Sequence, residues 1–158
     1  MNTAYVALGA NLGDPAATVR AAFGALANLP DSRVSRSSSL YRTAPVGLAD
    51  QPDFINAVAE LQTTLAPEAL LDALFDIEQR FGRIRADRNG PRTLDLDLLL
   101  YDDQLIDLPH LTLPHPRLHL RAFVLQPLAE IAPQLVIPGR GTVAAWLPAV
   151  ANQGIVKL

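Results

Sequence analysis

Two aspartates and a run of arginines are the residues of this chain best suited to chemistry. Asp95 and Asp97 lie in the stretch Arg92-Thr93-Leu94-Asp95-Leu96-Asp97-Leu98-Leu99-Leu100-Tyr101. In a strand alternate side chains share a face, so both carboxylates point the same way, one pleat apart. Carboxylates that close repel each other unless a cation sits between them. Oxygen donors completed by water and phosphate oxygens are the usual shell of Mg²⁺. Asp-x-Asp alone is short and common, and by itself it reads as an ordinary solvent-facing strand. Its neighbourhood changes the weighing. Arg80, Arg83, Arg85, Arg88 and Arg92 crowd into residues 80–92, where Asp87 is the only acid. Arg83 and Arg85, at i and i+2, share a face of an extended segment. The planar guanidinium offers a phosphate two parallel hydrogen bonds. Paired acids for metal beside paired arginines for phosphate are what phosphoryl transfer requires.

The rest of the composition narrows the field. The chain has 158 residues, 49% hydrophobic and 18% charged, with 13 basic against 16 acidic side chains and a net charge of −3. That is the make-up of one globular domain spanning 1–158. It lacks the broad basic field of a general nucleic-acid binder and the polybasic patch of a membrane-surface protein. There is no cysteine, which removes disulfides, thiolate nucleophiles and cysteine-ligated zinc. The only lysine is Lys157, so a GxxxxGK[ST] phosphate loop is absent. The N-terminus has neither a charged n-region nor a long apolar run, and no stretch reaches the length of a membrane span. A cytoplasmic protein is the expectation.

These residues need elements to position them. Residues 3–9 read as a strand ending at Gly9. Asp14 is the predicted N-cap of a helix with Pro15 at its first position and Val19, Ala22, Phe23 and Leu26 on one face. The serine-rich residues 33–41 read as one edge or half-buried strand. A loop over 42–53 is punctuated by Pro45, Gly47 and Pro52. In a strand over 54–64, Ile55, Ala57, Ala59 and Leu61 face one way, and Phe54, Asn56, Val58 and Glu60 the other. Pro67 opens a helix with Leu70, Leu74, Ile77 and Phe81 on one stripe and Gly82 at its end. The strand 93–101 places Leu94, Leu96, Leu98 and Leu100 on one face. A helix is expected around 118–131, then a short strand or two. The connections are too irregular for a doubly wound sheet, so an α+β sandwich with a mostly antiparallel sheet fits best.

Two weaker clusters remain. Pro114-His115-Pro116 sets a histidine in a rigid turn, followed by Arg121 and Phe123. A lone histidine is usually structural, though this one could meet a phosphate oxygen. Phe54 and Asn56 share a strand face, where a ring could stack on a flat heterocycle and an amide could bond its edge. Such a pair is more often core packing with one satisfied amide.

In order along the chain come Ala7-Leu8-Gly9-Ala10-Asn11-Leu12-Gly13, Ser39-Leu40-Tyr41-Arg42-Thr43-Ala44-Pro45, Gln51-Pro52-Asp53-Phe54-Ile55-Asn56, Gly90-Pro91-Arg92-Thr93-Leu94-Asp95-Leu96-Asp97 and Leu113-Pro114-His115-Pro116. Through these blocks the whole chain resembles the 6-hydroxymethyl-7,8-dihydropterin pyrophosphokinases of folate biosynthesis. The resemblance implies a ferredoxin-like α+β fold. It implies attack of the pterin hydroxymethyl oxygen on the β-phosphorus of ATP, with AMP leaving. Asp95 and Asp97 would bind two Mg²⁺, and Arg83 and Arg92 would neutralise the triphosphate during transfer. Glu78, Arg85, Arg88, Leu98, Thr112, His115 and Arg121 match positions that meet ATP. The pterin would lie between Phe54 and Phe123, bonded by Asn56 and lined by Thr43, Pro45 and Val46. The chain departs from the family's pattern at Asn89, where tryptophan is common, at Phe54, where tyrosine is common, and at His110, where arginine is sometimes seen. The lid segment Ala86-Asp87-Arg88-Asn89 also looks short.

The expected partners are therefore ATP and the pterin, with neither nucleic acid nor membrane, and the chain is expected to act as a monomer. Two alternatives use the same residues. A magnesium-dependent phosphohydrolase or nucleotidyltransferase would employ Asp95 and Asp97 without a pterin pocket. A non-catalytic binding module would leave the arginine–aspartate constellation without a purpose.

Overall fold

The computed structural model describes residues 1–44, 51–82 and 93–158. In chain order its elements are β1 (Asn2–Ala10), α1 (Pro15–Ala27), β2 (Ser32–Ser37), β3 (Tyr41–Thr43), β4 (Phe54–Thr63), α2 (Pro67–Arg80) and β5 (Asp95–Tyr101). The hairpin β6 (Ile106–Leu108) and β7 (Leu111–Leu113) follows, then α3 (Ala122–Ile131), β8 (Val136–Ile137), β9 (Gly141–Thr142), α4 (Val143–Trp146) and β10 (Ile155–Lys157). β1 is central, pairing antiparallel with β4 on one side and β5 on the other. β2 and β3 both pair with the far edge of β4, and β10 extends the sheet from β3. Two βαβ halves thus interleave their strands in one antiparallel sheet, the ferredoxin-like arrangement expected.

Local chemistry sets the helices. The Asp14 side chain accepts a hydrogen bond from the Ala17 N–H at 3.2 Å, and Pro15 supplies a first helical residue that needs no donor. Val19, Ala22 and Leu26 of α1, and Leu70, Leu74 and Ile77 of α2, are buried against one face of the sheet. There they meet Val6, Leu8, Ala57, Ala59, Leu61, Leu94, Leu96 and Leu98. Gly82 ends this helical segment with a φ of 72°, the left-handed conformation that favours glycine. The other face carries Tyr5, Ala7, Val58, Leu99 and Leu100 and is covered by α3 through Val124, Leu125 and Leu128.

Three expectations are corrected. The predicted strand over 33–41 is two strands. At Ser38 the backbone N–H donates to Val58 O, while the Ser38 Oγ accepts from the Val58 N–H, each at 2.9 Å. A side-chain hydroxyl thus replaces a ladder bond, and the chain re-enters the sheet only at Tyr41. Leu100 does not share a face with Leu94, Leu96 and Leu98. The β1–β5 register shifts between Tyr5 and Val6, so Leu99 is an extra residue and both Leu99 and Leu100 join the α3-side core. The helix expected around 118–131 is interrupted at Arg121, which is extended at φ −124° and ψ 117°. The Gln153 side chain bridges that break, accepting from the Ala122 N–H and donating to Leu120 O, each at 2.9 Å.

Candidate active site

The strands carrying predicted site residues converge on one end of the sheet: β1 and β3 finish there, and β4 and β5 begin. Tyr41 pairs with Asn56, Asn56 with Gly9 and Gly9 with Asp95, in one row across four strands. Thr43 pairs with Phe54, and Ala7 with Asp97. Directly paired residues point to the same face. Thr43, Phe54, Asn56, Asp95 and Asp97 therefore share the α3 face, with only Ala7 and Gly9 between the amide and the carboxylates.

Each group is held from behind. Asn56 is buried, and its Nδ2 donates to Thr43 Oγ1 at 2.8 Å. Asp95 and Asp97 are half-buried at the start of β5, anchored by Leu94, Leu96 and Leu98 beneath them. Between the two aspartates the Leu96 N–H donates to Glu78 Oε2 at 2.8 Å. Glu78 is only 3% exposed, so this carboxylate fastens β5 from the core of α2.

The segment leading into α3 brings a histidine, an arginine and a ring toward β5. The His115 N–H donates to Leu99 O at 2.9 Å, tying this turn to β5. His115 Nδ1 accepts from the Arg117 N–H at 3.2 Å, which leaves the ring proton on Nε2. Burial, then the charges of Arg121 and Arg117, push its pKa down to about 4, with Asp95 opposing. At neutral pH His115 is thus a neutral hydrogen-bonding group and not a cation. The Arg121 guanidinium lies 5.3 Å from the centroid of Phe123, so a charge and a ring stand together at the start of α3.

Other predicted residues fall further out or lie elsewhere. Thr112 is exposed on β7 opposite Asp107. The Leu98 side chain belongs to the core, so only its backbone can face a nucleotide. His110 binds Glu68 Oε2 at 2.9 Å. Arg83, Arg85, Arg88, Arg92, Pro45, Val46 and Asn89 lie outside the described residues. Besides the hold of Glu78 on β5, a second structural role went unread in the sequence. Asn11 is 1% exposed and donates to Gln51 Oε1 at 2.8 Å and to Pro52 O at 3.0 Å, stapling the end of β1 to the entry of β4. Both partners sit in the motif blocks, but nothing in either block alone shows that they meet.

The donor set can be tested against a metal. Asp95 and Asp97 offer only hard oxygens, which suit Mg²⁺. Among the described residues no third acid or histidine gathers with them. A cation there would keep positions for water and phosphate oxygens, as Mg²⁺ in phosphoryl-transfer sites does.

The acid pair on β5 and the amide and ring on β4 thus meet at one end of an antiparallel sheet, on one face. The chain belongs to the 7,8-dihydro-6-hydroxymethylpterin-pyrophosphokinase family, whose model matches residues 5–133. It is 51% identical over 154 residues to the 2-amino-4-hydroxy-6-hydroxymethyldihydropteridine pyrophosphokinase of Pseudomonas aeruginosa, covering 98% of this chain and 95% of that one. It is 44% identical over 158 residues to the Haemophilus influenzae protein of the same name, covering 100% of this chain and 99% of that one. In fold it is similar to a Plasmodium falciparum HPPK-DHPS crystal structure, with a TM-score of 0.75 at 14% identity. That match covers 94% of this chain and 42% of the Plasmodium chain.

Proposed function

We propose that this chain transfers the pyrophosphoryl group of ATP to 6-hydroxymethyl-7,8-dihydropterin in folate biosynthesis, and that Asp95, Asp97, Asn56 and the arginine cluster carry the reaction. The row Asn56–Gly9–Asp95 is the observation that supports this most, because it sets a buried recognition amide and the acid pair on one face. In the step itself the hydroxymethyl oxygen bonds to the β-phosphorus and releases its proton. The bond from the β-phosphorus to the bridging oxygen breaks, and AMP leaves with that oxygen.

Most of the barrier in such a transfer is lowered by positioning and by charge neutralisation. Asp95 and Asp97 would hold two Mg²⁺, which supply charge stabilisation on the phosphates and lower the pKa of a hydroxyl bound to them. Arg83 and Arg92 take charge on the transferring group. Arg85, Arg88, Arg121, Thr112 and the neutral His115, donating through Nε2, hold the nucleotide along with the Leu98 backbone. Glu78, expected to meet ATP itself, is buried with its carboxylate on the Leu96 N–H, so it serves the nucleotide side by fixing β5 instead. Phe54 and Phe123 cover the two faces of the pterin, Asn56 bonds its edge, and Thr43, Pro45 and Val46 complete the pocket. Two rings and one amide desolvate a flat polar heterocycle without leaving its polar edge unmet.

A phosphohydrolase or nucleotidyltransferase would have no use for a buried amide aligned with the acid pair. Among the described residues no helix is long and apolar enough to cross a membrane. The same reading has the chain acting as a single-domain monomer in the cytoplasm. Asp95→Ala and Asp97→Ala should each lower turnover by at least about 10³ while leaving the melting temperature near that of the parent. Normal turnover in either variant would contradict the metal assignment.

A further inference from the structure

Gly9 stands at the centre of the site's floor, directly opposite Asn56 on β4 and Asp95 on β5. Neighbouring strands are about 4.8 Å apart, so the amide and the first carboxylate are roughly 10 Å apart across it. A Cβ on Gly9 would lie 3.0 Å from Asn56 Oδ1, closer than ordinary van der Waals contact. Asn56 has little freedom to yield. Its side chain is 5% exposed by residue, and its Nδ2 is tied on the far side to Thr43 Oγ1 at 2.8 Å. Backing away from a methyl group by a few tenths of an ångström would stretch or turn that bond. The Gly9 backbone is in the ordinary extended range, so the demand here is for space and not for unusual dihedrals. Ala7, the next residue of β1 on this face, is likewise small and buried.

We propose that Gly9 is a positioning residue for substrate recognition: by carrying no side chain it lets the Asn56 carboxamide lie across β1, held by Thr43, in the one orientation that reads the pterin edge while the hydroxymethyl group reaches toward Asp95. This rests on the pterin reading given above and adds to it the group that sets where the amide points. Gly9 acts through Asn56, and the nucleotide half of the site is insensitive to it.

The test is a double-mutant cycle of Gly9→Ala and Asn56→Ala. Dissociation constants are measured for 6-hydroxymethyl-7,8-dihydropterin in the presence of Mg²⁺ and α,β-methylene-ATP, beside the KM for each substrate. Gly9→Ala should weaken pterin binding and raise the pterin KM by about tenfold, on the scale of sub-ångström misplacement. The ATP KM should stay within about twofold, which a general loosening of the fold would not produce. On the Asn56→Ala background, where the methyl has room, the same change should cost less than about twofold. Equal losses in both backgrounds, or unchanged pterin affinity in Gly9→Ala, would overturn the proposal. If Gly9→Ala does not fold, the double variant should fold again. Failure of both places the clash elsewhere and overturns it too. Parent enzyme that makes no pterin-dependent AMP removes the pterin reading itself. AMP from the parent with pterin affinity untouched by Gly9→Ala removes only the role of Gly9.

Discussion

Replacing Glu78 by alanine removes the acceptor that holds the Leu96 N–H at 2.8 Å, between the two aspartates of β5. Both ends of this bond are buried, with Glu78 3% and Leu96 5% exposed. An unmet buried donor costs about 1–3 kcal/mol. The lost methylene adds about 0.8 kcal/mol, for a total of about 3 kcal/mol. In a chain of this size 1 kcal/mol moves the midpoint by about 2–4 °C, so Glu78→Ala should melt about 6–12 °C lower. Glu78→Gln keeps an oxygen for the Leu96 N–H and loses the charge assistance of that bond, about 1 kcal/mol, or about 2–4 °C. Function should follow the same order. A loosened β5 shifts both carboxylates together, so the Mg²⁺ concentration needed for half-maximal rate should rise about tenfold in the alanine variant and little in the glutamine variant. Thermal melts and magnesium titrations of AMP formation read both effects. A glutamine variant as damaged as the alanine variant, or an alanine variant that melts with the parent, would refute the argument that Glu78 works by holding the Leu96 backbone.

Gly24 is exposed in the last turn of α1, and a Cβ there meets nothing within 4 Å. Gly24→Ala should therefore raise stability by about 0.5–1 kcal/mol with activity unchanged, and a lowered melting temperature would contradict it. His119 is 7% exposed and packs edge-on against Trp146 at 4.8 Å between ring centroids. Its Nδ1 finds no hydrogen-bond partner among the described residues. Burial, reinforced by Arg140, holds its pKa below the ordinary 6.5, and His115 is shifted the same way. The fold thus prefers both rings neutral. Their contribution is whole above about pH 6.5 and is lost as the pH falls, because the unfolded chain then binds more protons. Melting followed through Trp146, the chain's one tryptophan, should drop from about pH 7 to 5, less steeply in His119→Leu. Equal slopes would assign the effect elsewhere.

The elements with clean periodicity were legible from residue order. β4 alternates as read, with Ile55, Ala57, Ala59 and Leu61 in one core and Phe54, Asn56 and Val58 toward the other face. The shared face of Asp95 and Asp97 follows from the same period of two, which is why the acid pair could be read before any fold was known. What escaped depends on long-range partners. The extra residue at Leu99 is visible only when β5 is laid against β1. The break at Ser38 depends on Val58, and the break at Arg121 on Gln153. Glu78 lies four residues beyond Leu74 on the buried stripe of α2. Its charge argues for a solvated face until the Leu96 N–H is found waiting for it. Motifs singled out Asn56 and Asp95, and Gly9 was read only as the end of a strand, while the alignment of all three in one row is a property of strand register alone.

The most direct measurement is of product. Purified chain is mixed with ATP, Mg²⁺ and 6-hydroxymethyl-7,8-dihydropterin, and nucleotide products are followed against a control without pterin. The account predicts AMP that appears only with pterin, in step with pyrophosphorylated pterin. ADP or free phosphate in its place, or AMP formed equally without pterin, would contradict it.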